Sequence, residues 1–242
     1  RYYGVVEAIV ADVNDPQTLK CPPVDVLTGL KESVAGLRLA VLPQAELGEV
    51  DGEVASAFDA ALDVLRGLGV RIDTLRLCST YSSLADLTGR IIAAEGYALH
   101  REWIDRDDLP FDRDVRARLR TGRAVSAADY IGMLNERPQL QHEADRLLRD
   151  FDALVLPTTP LPPVPLDEAD QSQSPMSRLT RPINLLDLCA LALPCGFTRA
   201  GLPVSLQIVG RAFEEAGILR IGRAFEHATD WHTRRPPLPE QA

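Results

Sequence analysis

The amino-acid sequence predicts an α/β protein with a mixed, largely parallel sheet flanked by helices and a helical insertion. Three observations predict it. Residues 36–78 read strand, helix, strand at the length of a crossover unit, which implies parallel strands. Residues 80–150 carry mainly helical patterns. The stretch "LALPCGFTRAGLPVSLQIVG", residues 191–210, holds two apolar runs joined by a connection too short for a parallel crossover, so the two strands must be antiparallel.

Taken in order, "VVEAIVADV" reads as the end of a helix, and Pro16, Pro22 and Pro23 break the loop after it. "GLRLAVLP" is a short apolar run between turn signals, hence a buried strand. In the following helix Val54, Phe58, Ala61, Leu65 and Leu68 share a face. Asp51 can cap its start, and Gly69 suits the left-handed residue past its end. "VRIDTLRL" alternates like a strand. The segment 80–150 contains three helical pieces, the last opened by a Ser126–Asp129 capping signal and expected to be kinked or interrupted at Pro138. "FDALVLPTTP" is a buried strand ended by prolines. Residues 160–178 form a Pro/Ser-rich acidic loop, and "RPINLL" is a short helix or turn feeding the next strand. On the final strand Val204, Leu206 and Ile208 face one way and Ser205, Gln207 and Val209 the other. A closing helix places Ile218, Ile221, Phe225 and Ala228 on one face.

The totals narrow the function class. The net charge of −9 argues against a nucleic-acid or anionic-membrane surface. No apolar run reaches the ~18 residues of a membrane span. The four cysteines, Cys21, Cys78, Cys189 and Cys195, form no C-x-x-C pair in a chain large enough to fold without disulfides. They read as reduced thiols of a cytoplasmic protein. The chain opens "RYYGVV" without an initiator Met, which suggests a segment of something longer.

A search for chemistry returns little. No G-x-S-x-G elbow occurs. "HEADR" at His142 has Arg146 where a zinc helix needs its second His, and His227 and His232 in "HATDWH" are five apart rather than four. "GLGVRI" ends a helix instead of opening one, so it cannot cradle a phosphate. The carboxylates Asp105, Asp107, Asp108, Asp167, Glu168 and Asp170 sit in charged loops and read as solvated surface. Lys20 and Lys31, the two lysines, lack the desolvating context a basic lysine needs. Cys195, between Pro194 and Gly196 at a strand end, reads as a core thiol before it reads as a nucleophile. Asn184, Ser205 and Gln207 are polar in apolar passages and are expected to form buried hydrogen bonds.

The pattern LP-x-GF-x(3)-GLP-x-x-LQ-x-VG, residues 193–210, together with "DALVLPTTP" and "LTRPINLLDLCALALPCGF", resembles the carboxyl-terminal half of the amidase-signature enzymes. "NDPQT" and "VAGLRLAVLP" are similar to the passage that follows that family's catalytic segment. The resemblance implies that residues 1–242 are the C-terminal portion of a single amidase-like α/β domain. It implies hydrolysis of a carboxamide C–N bond by a Ser–cis-Ser–Lys acyl-enzyme mechanism without metal or organic cofactor. The triad and its Gly/Ser-rich run map onto nothing here, so no catalytic residue is carried over; they are expected upstream. Thr158, Thr159 and Cys195, at ends of the strands most like the family's core, are the candidate substrate-pocket walls. The implied partners are a small-molecule amide and the N-terminal part of the same protein, with a homodimer left open and no direct nucleic-acid contact. The alternatives are a non-catalytic subunit or binding module, as in an amidotransferase-type complex, and a hydrolase built on Cys195.

Overall fold

A computed structural model of the chain describes residues 25–169 and 176–236. The expected helix "VVEAIVADV", the proline loop after it, Lys20, Cys21 and Asp170 lie outside the described residues. Five strands form one sheet in the order β2-β1-β3-β5-β4. β1 (Arg38–Val41) pairs in parallel with both β2 (Arg71–Thr74) and β3 (Ala153–Pro157). β5 (Pro203–Gly210) runs antiparallel to β3 on one side and to β4 (Cys189–Phe197) on the other. The sheet is mixed, as the short 198–202 connection requires.

Helices cover both faces. Between β1 and β2 lie the one-turn α1 (Gln44–Leu47) and α2 (Gly52–Gly67). The Asp51 carboxylate accepts the Glu53 amide at 2.8 Å and caps α2. Gly69, at φ +86, makes the left-handed exit, and its carbonyl accepts the Gly36 amide at 2.8 Å. Val54, Phe58, Ala61 and Leu65 of α2 are buried against the sheet together with Ile218, Ile221 and Phe225 of α7 (Glu215–Ala228). Their common layer includes Leu39, Val155, Leu193, Cys195, Val204, Leu206 and Ile208. α7 lies close on β4 because residue 222 is glycine: a Cβ there would fall 2.4 Å from Leu191 Cδ2. Ala228, expected on the same face, is exposed because it is the last residue of the helix, beyond the edge of that layer.

The opposite face of the sheet packs Ala40, Leu154, Leu156 and Val209 against Tyr81, Leu148, Leu179 and Ile183. These come from α3 (Tyr81–Ile104), α5 (Ala127–Leu148), a 3-10 turn at Met176–Leu179 and α6 (Arg181–Leu185). Between α3 and α5 sit α4 (Arg113–Arg120) and a 3-10 turn at Thr121–Ala124. The expected helical stretch 80–150 is thus three helices. The Ser126 capping signal is a full capping box, with the Ser126 hydroxyl accepting the Asp129 amide at 3.1 Å. Pro138 does not interrupt α5, which continues to Leu148; both of its ends are anchored, by the capping box and by burial of Ala144 and Leu148.

Candidate functional site

In an α/β sheet, groups that meet a ligand gather where the parallel strands end, because the loops leaving their carboxyl ends are not constrained by pairing. Here those ends belong to β1 and β3, and three backbone segments converge on them. The first is the β1–α2 connection. The second is residues 157–161. The Thr158 amide donates to the Ser205 carbonyl at 3.0 Å, and the Pro160 carbonyl accepts the Asp51 amide at 2.8 Å. The third is the Met176–Leu179 turn leading into α6.

Side chains tie these segments together. Gln207 is buried on β5, and its Nε2 donates to the Leu179 carbonyl at 2.8 Å and the Pro157 carbonyl at 3.2 Å. The Tyr81 hydroxyl donates to the same Leu179 carbonyl at 2.9 Å, and its burial pushes the phenol far above its ordinary range. Arg178 reaches back to the β1–α2 connection and donates to the carbonyls of Leu47 and Glu49. These polar side chains thereby hold a loop layer on the strand ends with backbone carbonyls as acceptors.

Thr158 and Thr159 lie in this layer, both half-buried. The Thr159 hydroxyl donates to the Leu161 carbonyl at 2.8 Å. The Thr158 Oγ1 is buried and has no hydrogen-bond partner among the described residues. Cys195 lies near the carboxyl end of β4, at the irregularity in the β4–β5 register between Pro194 and Gly196, 2% exposed in the layer under α2. Burial pushes its thiol up to about 12, so it is protonated at neutral pH and is not poised for attack. Of the three polar residues expected to be buried, Gln207 forms its hydrogen bonds and Ser205 is half-buried. Asn184 is exposed, because the fourth position of the short α6 turns outward while Ile183 and Leu185 turn in.

The remaining candidates are placed as follows. Asp107 and Asp108 are exposed and paired with Arg120 and Arg106, each at 2.6 Å. Asp105 accepts the Tyr97 hydroxyl at 2.7 Å. Lys31 is exposed. His227 and His232 line an open cavity of about 320 Å³ with Arg223, Glu226 and Thr229. No group of three or more metal-ligating side chains forms among the described residues. A second cavity of about 250 Å³ opens at the amino ends of β1 and β3, where Arg149, Arg211 and Arg220 pair with Asp145, Glu214 and Glu32. Sequence reasoning missed Tyr81 and Arg178. Their acceptors are main-chain carbonyls far along the chain, which leave no signature in residue type or spacing.

The family model for amidases matches residues 5–219. The chain belongs to the amidase family. It is 31% identical to a glutamyl-tRNA(Gln) amidotransferase subunit from Roseiflexus sp., a match covering 99% of this chain and 54% of that protein. It is 32% identical to an amidase of Pseudomonas putida over 94% of this chain and 50% of that one. Among solved structures it superimposes on the corresponding glutamyl-tRNA(Gln) amidotransferase subunit from Thermotoga maritima with a TM-score of 0.71 at 27% identity, covering 91% of this chain and 48% of the other. The chain therefore spans about half the length of the relatives it matches. Among its described residues no helix is long and apolar enough to cross a membrane.

Proposed function

We propose that this amidase-family chain is the supporting part of an enzyme that hydrolyses a carboxamide C–N bond through an acyl-serine intermediate. The observation that carries the reading is the family match over residues 5–219, combined with the half-length coverage of the relatives. The other half of those proteins is where a nucleophile, base and oxyanion donors would reside. The loop layer over β1 and β3 would form one wall of the substrate pocket, with Thr158 and Thr159 facing it. The unpartnered Thr158 Oγ1 would complete its hydrogen bonding against the catalytic segment or the substrate.

The reaction would proceed by attack of a serine oxygen on the amide carbon. The C–N bond breaks as the amine or ammonia leaves with a proton, and water then releases the carboxylate. A second reading is one component of an amidotransferase assembly, favoured by the relatives of that name. A fluorophosphonate probe tests the proposal. The protein as its gene encodes it should be labelled on a serine outside residues 1–242, with loss of amide hydrolysis. Labelling of a serine within residues 1–242 would overturn it.

A further inference from the structure

The carboxyl end of β4 lies at the same end of the sheet as those of β1 and β3, because β3 and β4 both run antiparallel to β5. Ser205 of β5 stands opposite Pro194, and its carbonyl accepts the Thr158 amide at 3.0 Å. Two strand spacings, about 10 Å, therefore separate the end of β4 from the 157–161 segment. Phe197, the last residue of β4, is half-buried there. α7 runs to the same end and stops at Ala228, where Thr229 turns extended at φ −135 and ψ 168. A 3-10 turn at Trp231–Thr233 follows. It sets Trp231 against Phe197, with ring centroids 5.9 Å apart and planes tilted by 49°. Arg234 then lays its guanidinium over both rings, 4.9 Å from the Phe197 centroid and 4.7 Å from that of Trp231.

The remaining contacts of residues 229–236 are local. The Thr229 hydroxyl donates to the Phe225 carbonyl at 2.9 Å, and the Thr233 hydroxyl donates to the Asp230 carbonyl at 2.6 Å. The Arg234 amide donates to the Trp231 carbonyl at 3.3 Å. Among the described residues no hydrogen bond or ion pair runs from this segment to the sheet or to α2. An open cavity of about 320 Å³, lined by His227 of α7 and by Thr229 and His232, leaves the segment unpacked on that side. Its hold on the body is the Trp231 ring, packed on the core layer, and the Arg234 guanidinium. A guanidinium lying on ring faces keeps its N–H edge in water, and the Arg234 side chain is 50% exposed. Such a contact forms and breaks with little desolvation. We infer that residues 229–236 are a releasable strap, latched by Arg234 on Phe197 and Trp231. The strap borders the substrate pocket on the α7 side and limits the bulk of the amide admitted. The latch rests on these contacts alone; what the strap borders rests on the amide-hydrolysis reading.

Hydrogen exchange on the encoded protein tests the latch. Arg234→Gln should speed exchange of the 231–235 amides about five- to thirtyfold, the factor two exposed cation–π contacts supply, with the sheet amides unchanged. Asp230→Asn removes only the 4.0 Å ion pair with Arg234 and should change exchange less than about twofold. No gain in Arg234→Gln, or an equal gain in Asp230→Asn, would overturn the latch. Butyramide and its N-phenyl derivative test what the strap borders. In Arg234→Gln, kcat/KM for the anilide should rise by up to the same factor, with butyramide changed less than about twofold. Equal changes on the two amides, or none on either, would remove the strap from the pocket. If the unaltered protein hydrolyses neither amide, the hydrolase reading falls, the strap's bearing on a pocket falls with it, and exchange alone decides the latch.

Discussion

The Cys195 thiol is 2% exposed beneath α2, whereas Cys78 is exposed at the start of the helical layer. Their pKa values are raised for different reasons: for Cys195 burial dominates, and for Cys78 the hydrogen bond to Glu143 does. Iodoacetamide at pH 8 should therefore modify Cys78 in the folded protein and reach Cys195 only after unfolding, as peptide mass mapping would show. Alkylation of folded Cys195 would contradict the packing. The same burial sets a pH dependence. The unfolded thiol loses its proton near its ordinary value of 9.0, while the folded one holds it to about 12. Over that interval the folded state binds the extra proton, so stability falls as pH rises, at about 1.4 kcal/mol per pH unit for this group. Cys195→Ala should flatten the decline in melting temperature above pH 9, and an unchanged slope would assign it to other groups. Gln207 shows how far single residues were legible. Its isolation in an apolar strand signalled a buried hydrogen bond, but its two acceptors are the carbonyls of Pro157 and Leu179, 50 and 28 positions away.

Among the elements, the helical layer depends on how its ends are closed. α3 ends at Ile104, and the chain must turn through 105–112 before α4 begins. Arg116 fills that turn: it is 8% exposed and donates to the carbonyls of Ile104, Arg106 and Leu109 at 2.6–2.8 Å. The Ile104 and Leu109 carbonyls lose this donor when the guanidinium is removed. Arg116→Met should lower the protection of amides in 103–112 against hydrogen exchange and destabilise the protein by about 2 kcal/mol, with the sheet amides unaffected. Uniform loss of protection across the sheet would show that the turn is not an independent unit. The sequence made α2 and α5 legible through local signals: Asp51, Gly69 and the Ser126–Asp129 pair mark helix ends from within the local sequence. The run "RDVRARLR" was legible as a helix but not as a plug, because its most important side chain bonds to main-chain oxygens that all residue types share.

Across the whole molecule the two edges of the sheet differ. β2, "RIDT", is short, carries Arg71 and Asp73 and is mostly exposed, features that discourage further pairing. β4, "CALALPCGF", is nine residues long and carries no charge. Among the described residues it pairs on one side only, with β5, and Ala190 and Ala192 are exposed. A long uncharged edge of this kind is protected in natural proteins by pairing or by cover. The β4 amides directed away from β5 should exchange slowly with solvent in the protein as encoded. Fast exchange there would place the remainder of an amidase elsewhere. The amino-acid sequence by itself determined the elements and the sense of their pairing: the βαβ unit at 36–78, the short turn that makes β4 and β5 antiparallel, the caps, and the apolar faces of α2 and α7. These follow from periodicity and from contacts within a few residues. Only the tertiary structure decided the sheet order, the burial of Cys195 in the layer under α2, and the loop layer held by Tyr81, Gln207 and Arg178. Those outcomes depend on which carbonyl or charge arrives from far along the chain, and sequence spacing carries no record of that arrival.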